Sequence, residues 1–252
     1  MCLIFISINN HPKYNLIVAA NRDEFYHRKT AAAHFWEDRP EILGGRDLEA
    51  CGTWLGLTRR GRISMVTNYR DLKNIKPNAP SRGQLVTDSL LTDKPVPQFL
   101  EEIEPRANTF NGFNLIAGTL DRLWYFSNYG TGIRELSPGI YGLSNHLLDT
   151  PWPKVRDGKQ QFSEIISGDF APNDLFAMLY DHDTANDDEL PDTGIGLERE
   201  RALSARFIKS PGYGTRSSTV VLADRDGQVF FTERVFDLET FAFKDNTFTF
   251  KL

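Results

Sequence analysis

Short apolar runs alternate with polar turns along most of this chain, a pattern that predicts more strands than helices. Residues 2–8 (CLIFISI) are almost entirely apolar and rich in β-branched side chains, which predicts a strand buried on both faces. Turn residues occupy positions 9–13, and residues 16–20 (LIVAA) predict a second strand. The two strands are expected to form a hairpin in which Cys2 lies opposite Asn21.

The remaining pattern predicts blocks of strands separated by blocks of helices, which favours helices packed outside a sandwich of sheets. Further strands are expected at 53–58, 62–68, 113–117, 123–127, 140–144, 217–223 and 229–234, with a last hairpin around 244–246. Helices are expected at 81–91, 96–104, 155–166 and 173–180, the first of them opened by a capping box at Ser81 and Gln84. The acidic segment 181–200 predicts a long loop that could close as a lid, and Gly44-Gly45 predicts a tight turn.

Composition and charge narrow the class of protein. The 252 residues are 40% hydrophobic and 25% charged, as in ordinary globular proteins, and the net charge of −5 gives no basic excess for nucleic-acid binding. Only two cysteines occur, which excludes a disulfide-rich scaffold, and Cys51 is interpreted as an inert, buried thiol. The apolar runs are too short to span a membrane and no leader pattern is visible, so we expect a cytoplasmic protein without a membrane span.

Cys2 is the first candidate for chemistry. A small residue at position 2 permits removal of Met1, after which the Cys2 thiol and a free α-amine would belong to one residue. An α-amine has a pKa of about 8, so a fraction of it is neutral at pH 7 and can accept the thiol proton. Nucleophile and base would then come from the same residue, as in N-terminal-nucleophile catalysis. The alternative is a small apolar residue that opens a buried strand.

Four polar residues, Asn21-Arg22-Asp23-Glu24, follow the second predicted strand and lie beside the chain start in the expected hairpin. In the functional interpretation, Asp23 holds the α-ammonium group and Arg22 binds a substrate carboxylate or activates the thiol, with Asn21 next to them on the substrate side. The alternative is a solvated turn that leads into the next segment.

Three further polar residues and the histidines are weaker candidates. Asn68 and Asn145 each end a predicted strand, where their amides could stabilise an oxyanion or could simply belong to turns. Arg216 follows a glycine turn and is either a second substrate-facing cation or a surface arginine. The five histidines show no paired spacing, so no metal site is predicted, although a single histidine could ligate a haem iron.

Several motifs together resemble the Transport and Golgi Organisation 2 family, also called the NRDE family after its Asn-Arg-Asp-Glu motif. The resemblance spans nearly the whole chain and rests on Met1-Cys2, residues 19–26 (AANRDEFY), 44–47 (GGRD), 52–56 (GTWLG), 67–70 (TNYR), 143–145 (LSN) and 214–216 (GTR). It implies a single domain over residues 1–252 with an N-terminal-nucleophile (Ntn) hydrolase-like fold, a four-layer αββα sandwich of the α+β class.

The resemblance also implies possible functions. Family members are associated with haem trafficking and, in eukaryotes, with lipid and secretory-pathway phenotypes. The wider comparison is with cysteine Ntn amidohydrolases such as penicillin V acylase and bile salt hydrolase, whose nucleophile, amine-holding, oxyanion and distal-arginine positions correspond to Cys2, Asp23, Asn68, Asn145 and Arg216. Those enzymes separate the early arginine and aspartate by two residues. Here Arg22 and Asp23 are adjacent and should point to opposite faces of an extended segment.

Two functional hypotheses follow, and the alternative to both is a scaffold that kept the fold and lost the chemistry. The first is a cysteine amidohydrolase that cleaves the C–N bond of a small-molecule amide with Cys2 as nucleophile and requires no cofactor. The second is a non-catalytic carrier that holds haem, or a lipid or acyl ligand, in the same cleft. The 18 Phe, 8 Tyr and 4 Trp residues supply enough aromatic surface to line such a pocket.

Overall fold

The computed structural model describes residues 2–252, so the predicted removal of Met1 concerns a residue outside the described part of the chain. The strands are β1 (Cys2–Ile8), β2 (Tyr14–Phe25), β3 (Thr30–Phe35), β4 (Ile42–Asp47), β5 (Leu55–Thr58), β6 (Arg62–Asn68), β7 (Phe113–Thr119), β8 (Leu123–Ser127), β9 (Arg134–Glu135), β10 (Gly139–Leu143), β11 (Lys209–Ser210), β12 (Tyr213–Asp224), β13 (Gln228–Phe236) and β14 (Phe243–Lys251). The helices are α1 (Arg82–Leu91), α2 (Val96–Ile103), α3 (Pro153–Ser167), α4 (Pro172–Leu179) and α5 (Leu197–Ala202). Short 3-10 helices cover Glu104–Thr109 and Asp187–Glu189.

The strands form two antiparallel sheets. The first sheet has the order β10-β1-β2-β12-β13-β14, with β11 paired to β12, so strands from both ends of the chain meet at its centre. The second sheet runs β3 to β9 in chain order, as a meander. The chain start therefore lies inside the first sheet, between β2 and β10, and not at an edge.

Three apolar clusters separate four layers. One cluster lies between the sheets and includes Ile4, Ile6, Leu57 and Met65. A second joins the second sheet to α1 and α2, and a third joins the first sheet to α3 and α4. Because both faces of each sheet are covered, central strands such as β1 are apolar at nearly every position, as predicted. The architecture is the expected αββα sandwich.

The first hairpin forms as predicted, but its register differs by one residue. Cys2 pairs with Arg22, whereas Asn21 pairs with Leu3. The connection is centred on Pro12, half a residue later than the predicted centre between residues 11 and 12. Because paired residues share a face, the correction places Cys2 and Arg22 on the same side of the sheet.

Strand β2 is longer than the apolar run that predicted it. It continues through residues 21–24, the Asn-Arg-Asp-Glu tetrad, to Phe25, because residues 21–25 pair with β12 on the side away from β1. Asn21, Arg22 and Asp23 are consequently buried, and the solvated-turn alternative is wrong for them. Pairing with a strand that is remote in sequence overrides the polar character of the segment.

Three local predictions also need correction. Gly44 and Gly45 lie within β4 and not in a tight turn. Cys51 is exposed, with a left-handed backbone conformation, and is not buried. Helix α1 begins where predicted, but the capping box does not form: Ser81 makes no side-chain capping bond, and the Gln84 side-chain amide donates to Asp88.

The acidic segment was predicted as one long loop, but it contains a 3-10 helix and α5. Its base is closed, because the Phe207 N–H donates to the Asp181 carbonyl at 2.7 Å and Arg206 forms an ion pair with the Asp181 carboxylate. Of the residues described, none between 181 and 205 lines the cleft that contains Cys2. The possible lid function therefore stays a prediction.

Candidate functional site

A cleft of about 580 Å³ opens at the end of the sandwich where the two sheets and the start of α1 meet. Its lining combines charged and amide side chains with the aromatic residues Phe25 and Trp54. It also includes Cys2, Arg22, Asp23, Asn68 and Arg82. The volume lies in the range of small-molecule sites. The first described residue of the chain is therefore part of the wall of a cavity.

Cys2 contributes its thiol to this wall from the first position of β1. The residue is only 9% exposed, and its side chain lies on the same face of the sheet as Ile4. Ser144 donates a hydrogen bond to the Cys2 carbonyl at 3.2 Å, which fixes the backbone next to the thiol. Burial raises the pKa of the Cys2 thiol, and the Asp23 carboxylate acts in the same direction, whereas Arg22 lowers it. The thiol therefore needs a base to become a nucleophile.

Arg22 shares the face of Cys2 and is 5% exposed. Its guanidinium carbon lies 4.0 Å from the centre of the Trp54 ring, a stacking contact that holds the side chain in place. Within the described part of the chain, its Nη1 has no hydrogen-bond partner. A buried guanidinium nitrogen without an acceptor, at the wall of a cleft, is suited to a carboxylate or to a thiolate.

The glycines of the GGRD motif explain how Trp54 reaches Arg22. A Cβ atom on Gly45 would lie 2.2 Å from the Trp54 ring, so only glycine leaves room for the indole at this position of β4. The glycine at position 45 is thus required by the close approach of the Trp54 ring to β4, and not by a tight turn.

Asp23 points to the opposite face, towards the helical layer, although its residue also reaches the edge of the cleft. Thr215 donates a hydrogen bond to Asp23 Oδ1 at 2.7 Å, and the Tyr213 hydroxyl donates to the Asp23 carbonyl at 3.2 Å. Burial raises the pKa of the Asp23 carboxyl, while the charge of Lys154 and the Thr215 bond oppose that shift. Because Arg22 and Asp23 are adjacent in the strand, the Arg22 side chain lies on the cleft side of the sheet and the Asp23 side chain lies on the helical side.

Asn21 faces the same layer as Asp23, and its side chain is fully engaged with the protein. Its amide nitrogen donates to the carbonyls of Leu179 at 2.9 Å and Arg206 at 2.8 Å, and its oxygen accepts from Ser218 at 2.5 Å. Both amide N–H bonds are used, so the predicted substrate-binding role is not supported by this geometry. Asn21 instead ties β2 to both ends of the acidic segment.

The two asparagines predicted to hold an oxyanion lie next to each other but differ in access to the cleft. Asn68 ends β6 and lines the cleft beside Cys2. Asn145 is fully buried behind it, and its amide nitrogen donates to the Asn68 carbonyl at 3.0 Å. The Asn68 side chain is therefore the one that can meet a reacting carbonyl, while Asn145 positions the Asn68 backbone.

Arg216 is not brought together with Cys2. It is the extra residue of a β-bulge in β12, opposite the Arg22–Asp23 step, and its guanidinium donates to the carbonyls of Phe25 and Arg28. It does not appear among the described residues that line the Cys2 cleft. The prediction of a second substrate-facing cation at this position is not supported by its placement.

Sequence reasoning missed a group of charged residues on the helical side of the site. Lys154, in the first turn of α3, is 4% exposed and lies close enough to Asp23 and Cys2 for their charges to interact. Beside it, Arg70 and Glu200 form a buried ion pair at 2.7 Å. A signal was present, because Lys154 shares the i, i+4 stripe of α3 with Gly158, Phe162 and Ile166, the face that is buried.

The described residues also limit what else the site can hold. Among residues 2–252, no group of three or more His, Cys, Asp or Glu side chains is arranged to bind a metal ion. None of the described histidines lines the Cys2 cleft. No helix within the same range is long and apolar enough to cross a membrane.

Comparisons with known proteins agree with the motifs. The family model described as "Transport and Golgi organisation 2" matches residues 1–238. The Transport and Golgi organization protein 2 homolog of Homo sapiens is 40% identical over 100% of this chain and 99% of its own length. The homolog of Bos taurus is 42% identical over 93% of this chain and 92% of its own.

A solved structure shares the fold. The Caenorhabditis elegans N-acylethanolamine-hydrolyzing acid amidase ortholog superposes with a TM-score of 0.53, covering 88% of this chain and 92% of its own length, at 10% sequence identity. At that identity the similarity establishes the Ntn-hydrolase-like fold and carries no information about the substrate.

Proposed function

The chain belongs to the Transport and Golgi organisation 2 family, and on that premise we propose that it is a cysteine amidohydrolase of the Ntn type with Cys2 as nucleophile. The observation that carries the proposal is the position of Cys2 at a cleft, paired with Arg22 and bordered by Asp23 and Asn68. A thiol, a cation, a carboxylate and an amide donor are the groups that this chemistry needs in one place.

The mechanism starts from a chain that begins at Cys2. The neutral α-amine takes the thiol proton, and the thiolate attacks the carbonyl carbon of the substrate amide. The Asn68 side-chain amide donates to the oxyanion that forms, and Arg22 holds the thiolate or an anionic group of the substrate. In this proposal the Asp23 carboxylate holds the α-ammonium group from the helical side of β2.

The second half of the cycle releases the products. The ammonium group gives its proton to the leaving nitrogen, the C–N bond breaks, and an acyl thioester remains on Cys2. The amine then accepts a proton from water as the water oxygen attacks the thioester. The C–S bond breaks, the carboxylic acid leaves, and the ammonium group returns its proton to the Cys2 thiolate. Each proton transfer uses the same amine, so no cofactor is required.

The test combines mass spectrometry with turnover. Intact-mass measurement of the protein from its native host should show a chain without Met1. A panel of N-acyl p-nitroanilides should then be hydrolysed by the wild-type protein, with a loss of about a thousandfold or more in Cys2→Ala. Cys51→Ala, which removes the exposed thiol outside the cleft wall, should keep full activity.

Two results would refute this proposal. A native chain that retains Met1 has no free cysteine amine, and equal turnover by wild type and Cys2→Ala would assign the activity to other residues.

The second candidate function is haem binding in the same cleft. One observation favours it: the cleft places a thiol next to a buried guanidinium, which are suitable partners for a haem iron and for a propionate carboxylate. Because none of the described histidines lines the cleft, Cys2 would be the iron ligand. Haemin titration should then give a saturable Soret shift that Cys2→Ala abolishes. A shift that persists in this variant would place haem elsewhere.

A further inference from the structure

Lys154 is a buried ammonium group with no hydrogen-bond partner for its Nζ among the described residues. Burying a charge without a partner is unfavourable, and proteins rarely retain such a group for stability alone. Its position adds a second unfavourable contribution, because Lys154 is the second residue of α3 and a cation is disfavoured at a helix N-terminus. Neither packing nor the helix explains a lysine at this position.

The charges around Lys154 come from four elements. Asp23 on β2 is its main acidic neighbour, and Lys154 is in turn the strongest of the charges that stabilise ionised Asp23. Arg70, after β6, and Glu200, on α5, offset each other through their ion pair. Cys2, on β1, completes the group. Asp23 is thus the counter-charge that the site offers to Lys154.

We propose that Lys154 is a positioning residue of the Cys2 centre, which shares the Asp23 carboxylate with the α-amine of mature Cys2 and so makes that amine give up its proton more readily. This inference rests on the proposed function. One carboxylate faces two amines, so the two titrate as a coupled pair and cannot both be fully compensated. At pH 7, where Lys154 is mostly protonated, its positive charge also favours the Cys2 thiolate over the thiol.

The effect of burial on the pKa of Lys154 is consistent with this role. Desolvation lowers the pKa of Lys154 to about 8, although the charge of Asp23 opposes the shift. The protonated form nevertheless predominates at pH 7, so Lys154 acts through its charge and not as the base.

The test measures the pH dependence of Cys2 alkylation by iodoacetamide in a Cys51→Ala background, in which Cys2 is the only thiol. In Lys154→Met the midpoint should rise by about half a pH unit or more, which lowers the rate at pH 7 by about threefold. Lys154→Arg keeps the charge and should stay near the wild-type midpoint. Arg156→Met removes an exposed cation from the same helix and should change nothing.

Three outcomes would overturn the role of Lys154: an unchanged midpoint in Lys154→Met, a midpoint at lower pH, or an equal shift in Lys154→Arg. If Lys154→Met does not fold, as judged by circular dichroism, Lys154→Gln takes its place with the same expectations. The two proposals fail separately. A chain that keeps Met1 refutes the amine base, whereas an unshifted midpoint in a chain that begins at Cys2 refutes only the contribution of Lys154.

Discussion

Adjacent residues of the Asn-Arg-Asp-Glu motif lie on opposite faces of β2 and have different surroundings. On the cleft side, Cys2, Arg22 and Asn68 border open space. Arg22 stacks on the Trp54 ring, and its Nη1 has no hydrogen-bond partner among residues 2–252. On the helical side, Asn21 and Asp23 are enclosed and accept or donate several hydrogen bonds. The comparison teaches that one strand can present cleft-lining groups on one face and an enclosed hydrogen-bond network on the other.

The strongest test of this contrast is Asn21→Ala, on the helical side. The substitution removes the donor from the buried Leu179 carbonyl and from the part-buried Arg206 carbonyl, so we expect the free energy of unfolding to fall by about 3 kcal/mol. Urea unfolding at pH 7 measures it. Asn186→Ala, at an exposed asparagine of the acidic segment, is the control and should change stability by less than about 0.5 kcal/mol. Equal stabilities of the two variants would contradict a supporting role for Asn21.

The second test uses the titration of Lys154. Its pKa is about 8 in the folded protein and 10.5 in an unperturbed lysine, so the unfolded chain holds the proton to higher pH. Stability must therefore rise with pH across this interval. Relative to Lys154→Met, the wild-type free energy of unfolding should increase by about 2 kcal/mol from about pH 7.5 to about pH 9.5.

Urea unfolding at the two pH values provides the measurement. Groups that do not interact with Lys154 titrate alike in both proteins, so their contributions cancel in the difference. A difference that stays constant with pH would show that Lys154 is not held in a desolvated environment.

The third test moves to the cleft side and compares an anionic with a neutral thiol reagent. In a Cys51→Ala background, Arg22→Met should lower the rate of Cys2 alkylation by iodoacetate relative to iodoacetamide by about tenfold, since the carboxylate loses its cation. The matched control is Arg46→Met, because Arg46 also stacks on a tryptophan, Trp36, at 4.4 Å but lies outside the described cleft lining. The same loss in both variants would contradict a local anion site.

The smallest expected effect comes from the ring that holds Arg22. Trp54→Leu removes the stacking surface but leaves the charge, so the iodoacetate preference should fall by only about threefold. Trp124→Leu, at a tryptophan that stacks with Arg122 away from the cleft, is the control and should leave the preference unchanged. An effect of Trp54→Leu as large as that of Arg22→Met would mean that the ring, and not the charge, determines the preference.

Local sequence pattern predicted most elements of the fold, and the motif resemblance predicted the layers. Residues 2–8 and 62–68 became strands with the expected bounds, because an apolar run between turn residues leaves few alternatives. The burial of the tetrad was not predictable from pattern, since it depends on pairing with β12, about 190 residues later in the chain.

The candidate site was predicted in part for the same reason. The sequence brought Cys2 close to the tetrad through one local hairpin, which a one-residue register error did not obscure. Lys154 and Glu200 reach the site through helices packed on the far face of the sheet, so only the folded chain brings them together. Arg216 was misplaced because a β-bulge changes the direction of its side chain.

The contacts that close the base of the acidic segment have a consequence for evolution and for engineering. Asn21 holds Leu179 and Arg206 next to β2, and the Asp181–Arg206 ion pair joins the two chain segments at the same place. Closing a longer loop costs little additional entropy, so extra residues inserted at the exposed positions between 182 and 189 should be tolerated without moving the strand beside them. This stretch is therefore a suitable place to insert a fluorescent tag or an affinity epitope.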